Sequence, residues 1–151
     1  MFHADMCGEQ LAGSWPGKLP TTIELYALID AVQDFRNRKD RIGAVIEMGE
    51  SGDPRAVSPL IDCCRDRDAE VRRHAIDALY KLRSGRAVVV LLERLQDRSE
   101  QLVNRKRAAA ALAMIRTYSA MSGLKDRLMD TDEDEVIRTY VSEVMGKAGI
   151  R

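Results

Sequence analysis

From about residue 21 onward, hydrophobic positions recur with a helical period, in blocks of two alternating kinds. The first kind is seen in Ala27-Leu28-Ile29-Asp30-Ala31-Val32-Gln33-Asp34 and again in Pro59-Leu60-Ile61-Asp62-Cys63-Cys64-Arg65-Asp66. It returns as Val90-Leu91-Leu92-Glu93-Arg94-Leu95-Gln96-Asp97 and as Gly123-Leu124-Lys125-Asp126-Arg127-Leu128-Met129-Asp130. Each is an amphipathic stretch that closes on a polar turn. The second kind is clearest from Glu70 to Leu82, where Val71, Ala75, Ala78, Leu79 and Leu82 fall on one face of a helix. Arg105 to Ile115 repeats it with Ala108, Ala111, Leu112 and Ile115, and Arg41 to Met48 with Ala44, Val45 and Met48. Glu135 to Met145 is aligned through Val136, Val141 and Val144, with Tyr140 where the others carry a small residue. Equivalent positions lie roughly 31 to 33 residues apart, a period typical of stacked helical hairpins.

The pattern predicts eight helices, near residues 21–34, 37–50, 54–65, 69–83, 86–97, 100–117, 119–130 and 134–148. Turn chemistry agrees with these boundaries. Thr21 or Thr22 caps the first helix, Asp53 precedes Pro54 at a first helical position, and Ser84-Gly85 does the same work one repeat later. Asp68 and Ser99 are the expected caps inside the second and third hairpins, and the link from Thr117 to Met121 is the least regular. Residues 1–20 carry Gly8, Gly13, Pro16, Gly17 and Pro20 without a helical period, so they read as an extended or mobile leader ahead of a repeat domain at 21–151.

The best repeat runs from Gly52-Asp53-Pro54-Arg55-Ala56-Val57 to Asp66-Arg67-Asp68-Ala69-Glu70-Val71-Arg72-Arg73-His74-Ala75, and Gly85-Arg86-Ala87-Val88 repeats part of its opening. These motifs resemble the short HEAT-like repeats of the phycobilisome-lyase type, over roughly residues 21 to 148. The resemblance implies an all-α fold, a right-handed solenoid (α-α superhelix) of about four HEAT-like hairpins. Similar proteins are scaffolds and partner-binding subunits, with a minority acting as bilin lyases or nucleic-acid enzymes. Fold alone does not select among these.

Composition narrows the function classes. Lysine plus arginine and aspartate plus glutamate are balanced at 24 each, so no net charge pulls the chain toward nucleic acid or an anionic membrane. The longest apolar runs, Ala87 to Leu92 and Ala108 to Ile115, are too short to span a bilayer. Cys7, Cys63 and Cys64 make an odd set with an adjacent pair, a poor disulfide framework. With no secretory segment in the first twenty residues, the expectation is a reduced, cytoplasmic protein.

Candidate chemistry is sparse. Cys63 and Cys64 project about 100° apart on a helix and cannot face one metal together, so they read as small core residues. His74 is assigned to the outward face of its helix. His3, Asp5 and Cys7 alternate in the leader, a loose ligand set without the fixed geometry a metal site needs. Gly13-Ser14-Trp15-Pro16-Gly17-Lys18-Leu19 lacks the spacing and the following hydroxyl of a phosphate loop. The run Asp132-Glu133-Asp134-Glu135 reads as capping at a helix start. Basic residues at the turns (Arg36, Arg38, Lys39, Arg41; Arg65, Arg67, Arg72, Arg73; Arg105, Lys106, Arg107) interleave with Asp34, Asp40, Asp66, Asp68, Glu70 and Asp97. Inter-repeat ion pairs explain that pattern better than a ridge that grips phosphates.

No catalytic residues, cofactor or metal are therefore expected. The function expected is a non-catalytic protein-binding or assembly module that uses the inner surface of the solenoid, lined by the second helix of each hairpin. Its candidate contact residues are Ile46, His74, Asp77, Lys81, Arg107, Met114, Thr139 and Ser142. The partner expected is another protein, with nucleic acid and membrane disfavoured. The alternatives are a bilin lyase-type subunit and nucleic-acid binding through the basic ridge. Ile42 and Ile46 are expected to point outward on the first repeat, covered by the leader (Phe2, Met6, Leu11, Trp15) or by a second copy in a homodimer.

Overall fold

A computed structural model describes residues 18–151. Among the described residues the chain is all helix, arranged as four hairpins: α1 (Thr22–Gln33) with α2 (Arg38–Glu50), α3 (Val57–Cys63) with α4 (Ala69–Leu82), α5 (Val88–Gln96) with α6 (Leu102–Ile115), and α7 (Tyr118–Met129) with α8 (Glu135–Lys147). The second helices stack in chain order, α2 on α4, α4 on α6 and α6 on α8, as in a helical solenoid. Short 3₁₀ turns at Pro54–Ala56 and Gly85–Ala87 lead into α3 and α5.

Local chemistry accounts for the boundaries. Thr21 caps α1 and forms a capping box with Glu24. Asp68 caps α4, Asp134 caps α8, and Asp53 and Ser84 cap the two 3₁₀ turns. Ser99 does not cap. Its hydroxyl and amide both bond to Asp97 in the turn, and the residue at the start of α6 is Gln101, whose side chain makes no cap hydrogen bond. Glu100 takes over there, accepting from the Gln101 amide and from the Asn104 side chain. The second helices end in left-handed residues at equivalent places, Gly52 (φ 68°), Arg83 (φ 50°), Arg116 (φ 61°) and Gly149 (φ 69°). Glycine takes this conformation freely, whereas the two arginines adopt it against a steric cost.

Counting from the residue ahead of each second helix (Asn37, Asp68, Gln101, Asp134) brings the four repeats into register. The seventh residue on is Ala44, Ala75, Ala108 or Val141 and the eleventh is Met48, Leu79, Leu112 or Met145; all eight are buried. Small residues at the first position let neighbouring helices approach, and large ones at the second fill the space between layers. Gly49 carries a close approach of α2 to α4, since a Cβ there would lie 2.5 Å from the Ala78 Cβ. In the fourth repeat this register corrects the sequence assignment by one residue. Ile137 is fully buried, whereas Val136 is 46% exposed. Asp134, not an earlier member of the acidic run, caps α8 and so sets which face turns inward.

Candidate partner-binding groove

The turns between helices hold the hairpins together through charge. Arg41, Arg72 and Arg105 occupy the same position, fourth after the cap, and each reaches into the next repeat. Arg41 pairs with Asp66, Arg72 with Glu100 at 2.7 Å, and Arg105 with Glu133 at 2.7 Å. The Arg105 and Glu133 side chains are almost wholly buried. Each arginine also donates to a main-chain carbonyl at the end of its own first helix or the turn after it, Val32, Asp66 and Leu95 respectively. Arg38–Asp68, Arg65–Glu93 and Arg98–Asp130 add exposed rungs. Burial pushes the Glu100 carboxyl up, but hydrogen bonds from Arg72, the Gln101 amide and Asn104 outweigh it and hold its pKa near about 2. The hydrogen bond from Arg38 likewise brings Asp68 down to about 2. Glu133 is thus a buried rung and not a cap, so only part of the acidic run behaves as expected from the sequence.

This pairing neutralises most of the basic ridge. Arg36, Arg73 and Arg107 are also paired, with Asp34, Glu70 and Asp77. Arg67 lies over the Phe35 ring with Arg41, at 4.8 and 4.4 Å from the centroid.

The exposed side of the second helices is different. Three shallow hollows follow one another across α2, α4, α6 and α8. The first, about 260 Å³, is lined by Ile46, His74, Asp77, Tyr80 and Lys81. The second, about 450 Å³, shares Asp77 and Tyr80 with it and adds Val103, Lys106, Arg107 and Tyr140. The third, about 360 Å³, shares Lys106 and Tyr140 and adds Val136 and Thr139. Because consecutive hollows share walls, they form one groove. Arg107 clamps Asp77 with one guanidinium nitrogen at 2.5 and 2.7 Å from its two carboxylate oxygens, which ties α6 to α4 across the floor. Lys81 bridges to Glu50 on α2 at 3.7 Å. Lys106 makes no ion pair among the described residues, and its ammonium stands 5.4 Å from the Tyr140 ring centroid. The neighbouring Glu143 is engaged instead by Lys147 at 2.6 Å, and that hydrogen bond holds its carboxyl below the usual range. Tyr80, Val103 and Val136 leave an apolar strip in solvent along this cationic centre.

Of the residues expected at this surface, Ile46, His74, Asp77, Lys81, Arg107 and Thr139 line the groove. Ser142 is exposed but faces the end of the stack, beside Leu128 and Arg138. Met114 is half-buried and lines none of the three hollows. Residues the sequence reading missed are Tyr80, Val103, Lys106, Val136 and Tyr140. The one-residue slip in the fourth repeat hid Tyr140 and Val136, since the true counterparts of His74 and Asp77 are Tyr140 and Glu143. His74 is half-buried and sits 3.7 Å from Glu70. Ile42 and Ile46 are also half-buried, Ile42 against the core and Ile46 at the first hollow. The proposed leader cover falls on Phe2, Met6, Leu11 and Trp15, which lie outside the described residues.

Neither described cysteine lines the groove. Cys63 and Cys64 are both buried in the core. Burial pushes the Cys63 thiol up to about 12 and raises Cys64 as well, which suppresses the thiolate that nucleophilic or metal-binding chemistry requires. Among the described residues no three His, Cys, Asp or Glu side chains gather as a metal site, and no helix is long and apolar enough to cross a membrane. His3, Asp5 and Cys7 fall outside the described residues.

A family model of HEAT repeats matches residues 25–105, more than half of the chain. The chain belongs to the HEAT repeat family. No curated protein matches it in sequence. Among solved structures, this HEAT-repeat protein is similar to human deoxyhypusine hydroxylase, with a TM-score of 0.75 at 20% identity over 89% of this chain and 46% of that one. It is also similar to the complex of CpcE and CpcF of phycocyanin lyase from Nostoc, with a TM-score of 0.65 at 21% identity over 85% of this chain and 53% of that one. The chain thus spans about half the length of the solved chains it matches, and at these identities the likeness establishes the fold.

Proposed function

We propose that this HEAT-repeat protein is a non-catalytic binding module whose groove along α2, α4, α6 and α8 takes a segment of another protein. The observation that carries this reading is the apolar strip of Tyr80, Val103 and Val136 set around Lys106. Aromatic and aliphatic groups left in solvent beside a cation without a carboxylate partner contribute nothing evident to the fold, and they are the groups that anchor a partner. Inter-repeat ion pairs tie the stack beneath, so a bound segment meets a surface already arranged for it.

The test is a comparison of Tyr80→Asp and Lys106→Glu with the parent in a pull-down from the source cells, with melting temperatures measured alongside. Partners retained by the parent and lost by both variants, at unchanged stability, support the groove. Partners retained by both variants exclude it.

A second reading, a subunit of a bilin lyase, is favoured by the likeness to the CpcE–CpcF complex, which also makes a protein partner plausible on structural grounds. A change in the absorption spectrum on mixing with free bilin distinguishes it from the first. Binding of nucleic acid loses support from the pairing of the basic ridge and predicts a salt-dependent gel shift that the first reading does not.

A further inference from the structure

The turns that join one hairpin to the next run along the edge opposite the arginine ladder, and they stack as one row. Arg55 donates to the Thr22 hydroxyl at 3.2 Å and to the Pro20 carbonyl at 2.7 Å. A Cβ on Gly85 would lie 3.5 Å from the Thr117 methyl, and Arg116 donates to the Ala148 carbonyl.

Charge along this row is one-sided. No aspartate or glutamate occurs from residue 78 to 92 or from 101 to 125, the stretches that hold the second and third of these turns. At the first turn the acids are engaged within the chain, Asp53 by Arg55 at 2.6 Å and Glu50 by Lys81 at 3.7 Å. Arg83, Arg86 and Arg116 are exposed and make no ion pair among the described residues. The balanced total of the chain hides this excess, because the opposite edge carries most of the acids that pair in the ladder.

The backbone supplies a second, independent observation. Arg83 and Arg116 hold left-handed φ values of 50° and 61°, at the places where the first and fourth hairpins have Gly52 and Gly149. A side chain is strained there, and strain kept where glycine would relieve it points to a use for the side chain. Arg83 makes no side-chain hydrogen bond among the described residues, so the fold itself does not account for it. Beside these cations Val89 is 65% exposed and Tyr118 83%.

We propose that the turns at Arg83–Arg86 and Arg116–Tyr118 form a second docking edge, separate from the groove, for an acidic segment of another protein. Carboxylates of that segment pair with Arg83, Arg86 and Arg116, and apolar side chains between them rest on Val89 and Tyr118. Three like charges gathered without an acid repel one another, and an anionic segment relieves that repulsion. Guanidinium groups suit carboxylates because they can donate two parallel hydrogen bonds to one. Val89 offers nothing to a phosphate backbone, and three cations over two repeats make a short footprint for a polyanion, so the segment is protein and not nucleic acid.

The test is fluorescence anisotropy of the whole chain with a labelled peptide of glutamates interleaved with tryptophan and leucine. Its glutamine counterpart and a thymidine oligonucleotide of equal charge serve as competitors. The acidic peptide should bind, weaken as salt rises and resist the glutamine peptide. The Arg83→Gly, Arg86→Ala double variant should bind it roughly tenfold more weakly. Arg83→Gly alone should melt no lower than the parent, since glycine relieves the left-handed strain. No binding of the acidic peptide, equal affinity for the glutamine peptide or equal affinity in the double variant would overturn the proposal. A lower melting temperature for Arg83→Gly would make Arg83 a structural cap and overturn it as well. Tighter binding of the oligonucleotide than of the peptide would give the edge to nucleic acid and overturn the choice of partner. None of these readouts involves Tyr80 or Lys106, so failure here leaves the groove reading standing, and the reverse.

Discussion

The turn edge of this solenoid and its groove are both rich in charge, but they spend it differently. At the turn edge Arg105 and Glu133 are almost completely enclosed, and each rung joins one hairpin to the next. In the groove Lys106 makes no ion pair among the described residues, and Tyr80, Val103 and Val136 remain in water. A buried pair is costly to break because one partner left alone is an uncompensated charge, whereas an exposed side chain contributes little to stability. The same residue types therefore serve cohesion on one edge and remain available for contact on the other.

The sharpest way to break this comparison is Arg105→Ala, which leaves the buried Glu133 to Arg127 at 3.3 Å and the Asp134 amide at 2.8 Å. The expected loss is about 3–5 kcal/mol in urea unfolding. A loss under about 1 kcal/mol would place the ladder among surface pairs of little weight. Next comes Leu79→Ala, which opens a cavity in the fully buried centre of the second repeat and should cost about 2–5 kcal/mol by the same measurement.

Acid separates the two edges in another way. The Glu100 carboxyl is held near about 2, below its ordinary 4.5, so the unfolded chain takes up a proton before the folded one does. The stability from this group is complete above about 4.5 and is lost progressively as the pH falls toward about 2. Glu100→Gln should lower stability at neutral pH and flatten that acid-side slope, as followed by thermal melts across the range. An unchanged slope would remove Glu100 from the ladder. The smallest expected effect belongs to the groove. Tyr80→Asp and Lys106→Glu should change stability by no more than about 0.5 kcal/mol while abolishing partner binding. If either variant unfolds as readily as Arg105→Ala, the groove residues hold the fold together and are not free for a partner.

Much of the second repeat was legible in advance. Val71, Ala75, Ala78 and Leu79 fall at helical spacing, and all four are buried. Thr21, Asp53, Asp68 and Ser84 cap as their chemistry requires. The fourth repeat was harder, because four consecutive acidic residues offer four plausible caps and the choice among them rotates every later side chain by about 100°. That rotation put Val136 in the core instead of Ile137 and concealed Tyr140 as a groove residue. Ser99 was misplaced because a short polar turn holds several side chains able to bond main-chain amides, and Glu100, buried by its neighbours, won.

The sequence alone determined that this chain is a stack of helical hairpins, because period, small-residue spacing and turn chemistry are local properties repeated about every 32 residues. It also indicated that the interleaved arginines and acids pair between repeats. Only the tertiary structure decided which acid meets which arginine, that Lys106 makes no ion pair among the described residues, and that Tyr80, Val103, Val136 and Tyr140 share a groove. Those facts depend on which faces of separate helices are brought together, and a residue's distance to a neighbour some thirty positions away is fixed by packing, not by its own place in a repeat.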